Sequence, residues 1–121
     1  VIFIRAALLQ VMAVCSILAS TGFAAVAHAE EFHVAITTRG FVPNELHATD
    51  KGPIRIDIVN QTRQVHNFVL PKFYLFTQNL QPNEKTYVSF VPDKTGRFEY
   101  YSDTGGKKEQ GYIGYLQIDH K

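Results

Sequence analysis

Gly96–Leu116 reads GRFEYYSDTGGKKEQGYIGYL, and the fold turns on this stretch. Side chains alternate across a strand, so Phe98, Tyr100 and Ser102 share one face of a first strand. A glycine-rich, charged loop follows. A second strand starts at Tyr112 and sets Tyr112, Gly114, Leu116 and Ile118 on one face by the same period of two.

Outward from this hairpin the alternation recurs. Phe32, Val34 and Ile36 alternate with His33, Ala35 and Thr37, and Ile54, Ile56 and Ile58 alternate with Arg55 and Asp57. Thr86, Val88 and Phe90 give a further strand. Arg39-Gly40, Asp50-Lys51-Gly52-Pro53, Leu80–Lys85 and Val91–Gly96 supply turn chemistry between strands. Pro43 makes Phe41–Leu46 an edge or irregular strand, because proline lacks the N–H that a central strand donates. Pro71–Asn79, with Phe73, Tyr74 and Phe76, reads as a loop or short helix covering one end of the fold. Seven or eight short strands at this spacing predict an all-β, antiparallel β-sandwich.

A chain of 121 residues fits one small domain. Residues 1–29 read as a signal peptide. Arg5 precedes an apolar run from Ala6 to about Ala19, Ser20-Thr21-Gly22 breaks it, and Ala27-His28-Ala29 offers small residues for cleavage before Glu30. That leaves a secreted domain, residues 30–121, in a bacterial periplasm. An uncleaved membrane anchor ranks second, since the run is short and broken for a span. The twelve Lys/Arg less Arg5 leave eleven against eleven Asp/Glu, so no basic field invites nucleic acid. Cys15 is the only cysteine and falls in the leader. The domain therefore has no thiolate for a disulfide, a zinc–thiolate site or a blue-copper site.

Several spaced motifs together resemble the cupredoxins, the small blue-copper β-sandwiches. Phe41-Val42-Pro43-Asn44-Glu45-Leu46 is similar to an F-x-P-x-x-L signature near the start of many bacterial cupredoxin-like domains, including those attached to iron-uptake proteins. Val59 and Asn60, a polar gap, then His66-Asn67-Phe68 resemble the family's presentation of its first copper-ligand His. Leu80-Gln81-Pro82-Asn83-Glu84 resembles the family's L-x-P-G-E. The Gly96–Leu116 hairpin resembles the family's metal loop, often C-x-x-P-G-H-x-x-x-G-M-x-G, with Gly106, Gly111 and Gly114 matching. The resemblance covers nearly all of residues 32–119 and implies Greek-key connections. Laid on that frame without gaps, Ser102 stands for the ligand Cys, Lys107 for the second His and Tyr112 for the Met.

That donor set is poor for copper. A serine hydroxyl stays protonated, and an ammonium carries charge and no lone pair below about pH 10. A phenol also titrates near about pH 10. His66 alone keeps a ligand position, so no cofactor is expected, and convergence of the family's Cys and first His implies a hydrogen bond between Ser102 and His66. The favoured reading is a non-enzymatic binding or accessory module that meets a periplasmic or membrane-associated protein. Tyr101, Tyr112 and Tyr115 with Lys107 and Lys108 form a possible contact patch at the old metal end. The alternative is a copper-binding protein or electron carrier with a non-standard site around His66, joined by a carboxylate such as Asp103 or Glu109. His33, His47 and His120 lack ligand-like spacing to it. An enzyme built on Ser102 and His66 ranks last, because no orienting group or oxyanion-hole motif accompanies them. On this frame, the triple change Ser102→Cys, Lys107→His, Tyr112→Met is expected to turn the protein blue with Cu(II).

Overall fold

A computed structural model describes residues 28–121. The expected leader lies almost wholly outside the described residues. Nine strands follow in order: β1 Glu30–Thr37, β2 Gly40–Val42, β3 Glu45–Thr49, β4 Ile54–Asn60, β5 Val69–Leu70, β6 Leu75–Phe76, β7 Lys85–Phe90, β8 Gly96–Tyr101 and β9 Ile113–Asp119. They form a four-stranded sheet, β2-β1-β4-β7, and a five-stranded sheet, β3-β9-β8-β5-β6.

The β-sandwich is as the alternation implies, but its sheets are mixed rather than wholly antiparallel. β1 lies parallel to β4, with Phe32 opposite Ile56 and Val34 opposite Ile58. β3 lies parallel to β9, with Leu46 opposite Leu116. The chain changes sheets at Pro43-Asn44, between β2 and β3, and again before β4. Alternation reports which face a residue occupies and carries no information on strand direction. The strand number exceeds the expected seven or eight because β2, β5 and β6 are only two or three residues long.

Inward residues of the two sheets meet in one core. β4 alternates without exception, burying Ile54, Ile56, Ile58 and Asn60. Each fully buried aliphatic of this size contributes about 1.5–3 kcal/mol relative to exposure. An aromatic cluster fills the half of the core nearer to the end of β8. Phe68 stacks on Tyr100 at 4.9 Å, and Phe41 meets both rings edge-on at 5.9 and 5.2 Å. The segment after β5 is a single 3₁₀ turn, Pro71–Phe73, followed by β6. Phe73 packs on Phe90 and Phe98 at 4.7 and 4.9 Å, so it covers the end of the sandwich where β4 begins and β7 finishes. The opposite end, where β4 and β8 finish, is left for the loops that carry His66 and Ser102.

Two glycines, one opening β2 and one in the β8–β9 hairpin, have steric reasons. A Cβ at Gly40, whose φ is +103°, would lie 2.5 Å from the Gly111 carbonyl oxygen, so this turn and the long loop abut. A Cβ at Gly114 would lie 2.4 Å from the Tyr100 ring, which is fully buried and whose hydroxyl donates to the Pro43 carbonyl at 3.1 Å. Burial, with a smaller push from the Glu45 charge, raises the Tyr100 phenol above its ordinary pKa. Gly114→Ala is therefore expected to cost about 1–3 kcal/mol by overpacking, read as a lower urea midpoint with unchanged slope.

Candidate functional site

Asn60 ends β4 and organises the segment that presents His66. Its side-chain amide donates to the Gln64 and Leu80 carbonyls at 2.7 and 2.9 Å. Its side-chain oxygen accepts from the Thr62 amide and hydroxyl at 3.0 and 2.8 Å. All four bonding capacities of this buried amide are thus used. His66 is then fixed by a two-bond bridge to Leu80, 3.3 and 2.7 Å long. The spacing from Asn60 to His66 acquires a physical meaning, since one side chain braces the whole turn between them.

The loop from Ser102 to Tyr112 closes over the same end. The Glu109 amide donates to the Ser102 carbonyl at 2.8 Å, and the Ser102 amide donates to the Tyr112 carbonyl at 3.1 Å. Asn67 and Asp103 exchange two bonds, 2.9 Å from the Asn67 side-chain amide and 2.7 Å from the Asp103 backbone amide. These contacts turn Glu109 inward. One of its oxygens, Oε1, accepts from the Ser102 hydroxyl at 2.6 Å and the Thr104 hydroxyl at 2.9 Å. The other, Oε2, stands 3.1 Å from His66 Nδ1. Burial pushes the Glu109 carboxyl up, yet the Ser102 and Thr104 hydroxyls and His66 outweigh it and hold its pKa below the ordinary value. An ionised Glu109 favours a proton on Nδ1, the ring nitrogen that faces it. His66 Nε2 is buried without a hydrogen-bond partner, and the Tyr112 ring lies over the imidazole at 4.2 Å and 31°.

Ser102 and His66 do converge, with 3.5 Å between Oγ and Nδ1. That is long for a hydrogen bond, and the single Ser102 proton goes to Glu109 while its oxygen accepts from the Asn67 amide at 3.1 Å. The expected Ser102–His66 contact is present at the long limit of a hydrogen bond, and the Glu109 carboxylate reaches both groups as well. Lys107, which the ungapped frame sets at the second-imidazole position, is exposed, and Glu109 occupies the place beside His66. Tyr112 meets His66 at this end. Tyr101, Tyr115 and Lys108 lie elsewhere, on the outward face of the five-stranded sheet, so the expected contact patch is split in two. His33, His47 and His120 pair with Asp57, Glu45 and Asp50, away from His66.

The family's copper centre needs a thiolate and two imidazoles. The residues here supply one imidazole, one carboxylate, two hydroxyls and a phenol ring, and do not fit that donor set. Among the described residues, no group of three or more His, Cys, Asp or Glu is placed to hold a metal ion. Sequence pattern gave Glu109 no more weight than Asp103; the loop turns 109 inward, and nothing in residue type announces it.

A family model described as cupredoxin-like domain matches residues 7–113. No curated protein sequence matches the chain. Among solved structures, auracyanin A, a "blue" copper protein from Chloroflexus aurantiacus, aligns with a TM-score of 0.65 at 17% identity, over 76% of this chain and 100% of that one. The metal-binding domain of the Cu(I)-exporting P-type ATPase CopA of Streptococcus pneumoniae D39, with Cu(I), gives 0.63 at 15% identity, over 78% and 91%. Blue copper oxidase from Nitrosomonas europaea gives 0.64 at 13%, over 78% of this chain and 40% of that one. The chain thus spans about two fifths of that oxidase. Identities this low speak to the fold alone.

The depressed Glu109 pKa sets a sign. Its contribution to stability is complete above the ordinary glutamate value of 4.5 and is lost as pH falls through the lower folded value. Glu109→Gln is expected to cost about 1–3 kcal/mol near neutral pH, as a charged acceptor is lost. It should also flatten the decline of urea stability in acid, relative to the unaltered chain.

Proposed function

This chain belongs to the cupredoxin-like family, and we propose that it is a secreted, non-enzymatic binding or accessory module whose barrel end is held by a closed hydrogen-bond cluster instead of type 1 copper. The observation that carries this reading is Glu109, whose two oxygens take up Ser102, Thr104 and His66 at 2.6, 2.9 and 3.1 Å. The Ser102 and Thr104 protons are taken up by the carboxylate, while His66 Nε2 stays without a partner. Hard oxygens replace the soft thiolate that gives the blue site its covalency.

Hydrolysis finds no support in the same geometry. A working serine–histidine–carboxylate set uses opposite nitrogens of the imidazole for the nucleophile and the carboxylate. Here Ser102 and Glu109 both face Nδ1, while Nε2 is buried without a partner. Ser102 is 0% exposed, so substrate has no approach to its oxygen. The leader expected from residues 1–29 supports a periplasmic setting for this role, with a periplasmic or membrane-associated protein as the proposed partner.

Titration of the full chain with Cu(II) against a competing chelator is expected to show no retained copper and no intense absorption of orange light. One tightly held copper with that absorption would restore the electron-carrier reading built on His66. The triple variant Ser102→Cys, Glu109→His, Tyr112→Met should develop the colour. Its counterpart with Lys107→His in place of Glu109→His should not, because position 107 is exposed.

A further inference from the structure

Residues of β8 and β9 alternate, and the set opposite the core forms a shallow groove across the five-stranded sheet. Glu99 stands opposite Tyr115, with Arg97 and Tyr101 to either side on β8. The 3₁₀ turn after β5 supplies one wall and Lys108 of the long loop another. Four cations line this groove, Lys72, Lys94, Arg97 and Lys108, with a single carboxylate, Glu99. Residues 30–121 carry eleven of each sign, and this groove gathers four of the cations, with Glu99 inside it and Glu45 and Asp93 at its edge pairing with Arg97 and Lys94.

Arg97 and Lys108 are positioned by carboxylate and aromatic partners. Arg97 pairs with Glu45 at 2.8 Å and stacks over the Tyr115 ring at 4.1 Å. Lys108 pairs with Glu99 and lies over the Tyr101 ring at 5.3 Å. The solvent-exposed Arg97–Glu45 pair holds its partners weakly, so an incoming carboxylate can replace Glu45 at little cost, and Glu99 of the second pair is half-buried. The aromatic stacking keeps each cation in place meanwhile. At the rim, Tyr74 is 84% exposed and sits at φ 57°, a left-handed conformation that disfavours side chains. An aromatic held in water by a strained backbone next to fixed cations has the make-up of an interface anchor.

We propose that this groove docks an acidic segment of a partner protein, with Tyr74 as the apolar anchor and Arg97 and Lys108 meeting carboxylates. The inference rests on reading the chain as a binding module and names the face and the chemistry of its partner. An anionic sugar fits less well, because cations already cover the Tyr101 and Tyr115 faces on which a sugar ring would stack. The face lies on the sheet rather than at the His66 end, so loss of this proposal leaves the metal-free reading to its own titration.

The test uses the full chain and a fluorescein-labelled peptide of repeating Glu-Gly-Leu-Glu, followed by anisotropy. The Glu peptide is expected to bind and to weaken as salt is raised, while its Lys-for-Glu counterpart does not bind. Arg97→Glu/Lys108→Glu should weaken binding by at least about tenfold, and Tyr74→Ala by about tenfold with its salt dependence kept. The milder Arg97→Gln/Lys108→Gln, which puts no like charge beside Glu45 and Glu99, should show a smaller loss in the same direction. Arg63→Glu, at the His66 end, should change nothing. Equal binding of both peptides, binding unaltered by both double variants, or tighter binding of oligogalacturonate would overturn the proposal.

Discussion

A buried imidazole and a buried hydroxyl facing one another need a third group to complete their bonding, and in this chain that group is the Glu109 carboxylate. An imidazole and a hydroxyl 3.5 Å apart make a poor pair. A carboxylate offers several acceptor sites on two oxygens, so it satisfies Ser102 and Thr104 on one side and His66 on the other. The conformation of the long loop follows from this, because turning Glu109 inward requires the Glu109 amide on the Ser102 carbonyl and the Tyr112 amide on the Glu109 carbonyl. The electrostatics follow as well. The carboxyl pKa is held low in spite of partial burial by the Ser102 and Thr104 hydroxyls, His66 and the Thr104 amide. Hydrogen bonds to a charged acceptor in a shielded site are worth more than those among neutral groups.

Much of the architecture was legible from residue alternation alone. Ile54, Ile56 and Ile58 announce a strand with one buried face, and β4 has that face buried throughout. His66 was legible through its neighbours, since Asn60 has a bracing task that fixes its distance along the chain. Strand direction was not legible, because a parallel and an antiparallel partner present the same period. The short strand β6 was hidden for another reason. Two residues following a 3₁₀ turn carry no periodic signal, and their pairing with β5 depends on where the turn leaves them.

The loop shows where sequence framing runs out. An ungapped match sets glycines on glycines and by doing so assigns Lys107 to the pocket. Side-chain direction within a loop is set by local backbone bonds, such as Gly106 to the Asp103 carbonyl at 2.7 Å, and not by counting from the nearest strand. Two residues of offset exchange an exposed ammonium for an inward carboxylate and reverse the sign of charge beside His66. The same loop sends Lys108 to the sheet face. Adjacent residues therefore serve two surfaces with different chemistry, one at the end of the sandwich and one on its side.

The bracing of the His66 turn by Asn60 has a consequence for how such a domain can change over time. Every side-chain bond Asn60 makes is to the turn itself or to Leu80, and none reaches the groups that His66 faces. Scaffold and cargo are therefore energetically separable. Substitutions at 102, 109 or 112 can rewrite what the imidazole faces while the frame that delivers it stays assembled, which lets one architecture drift between chemistries without passing through an unfolded ancestor.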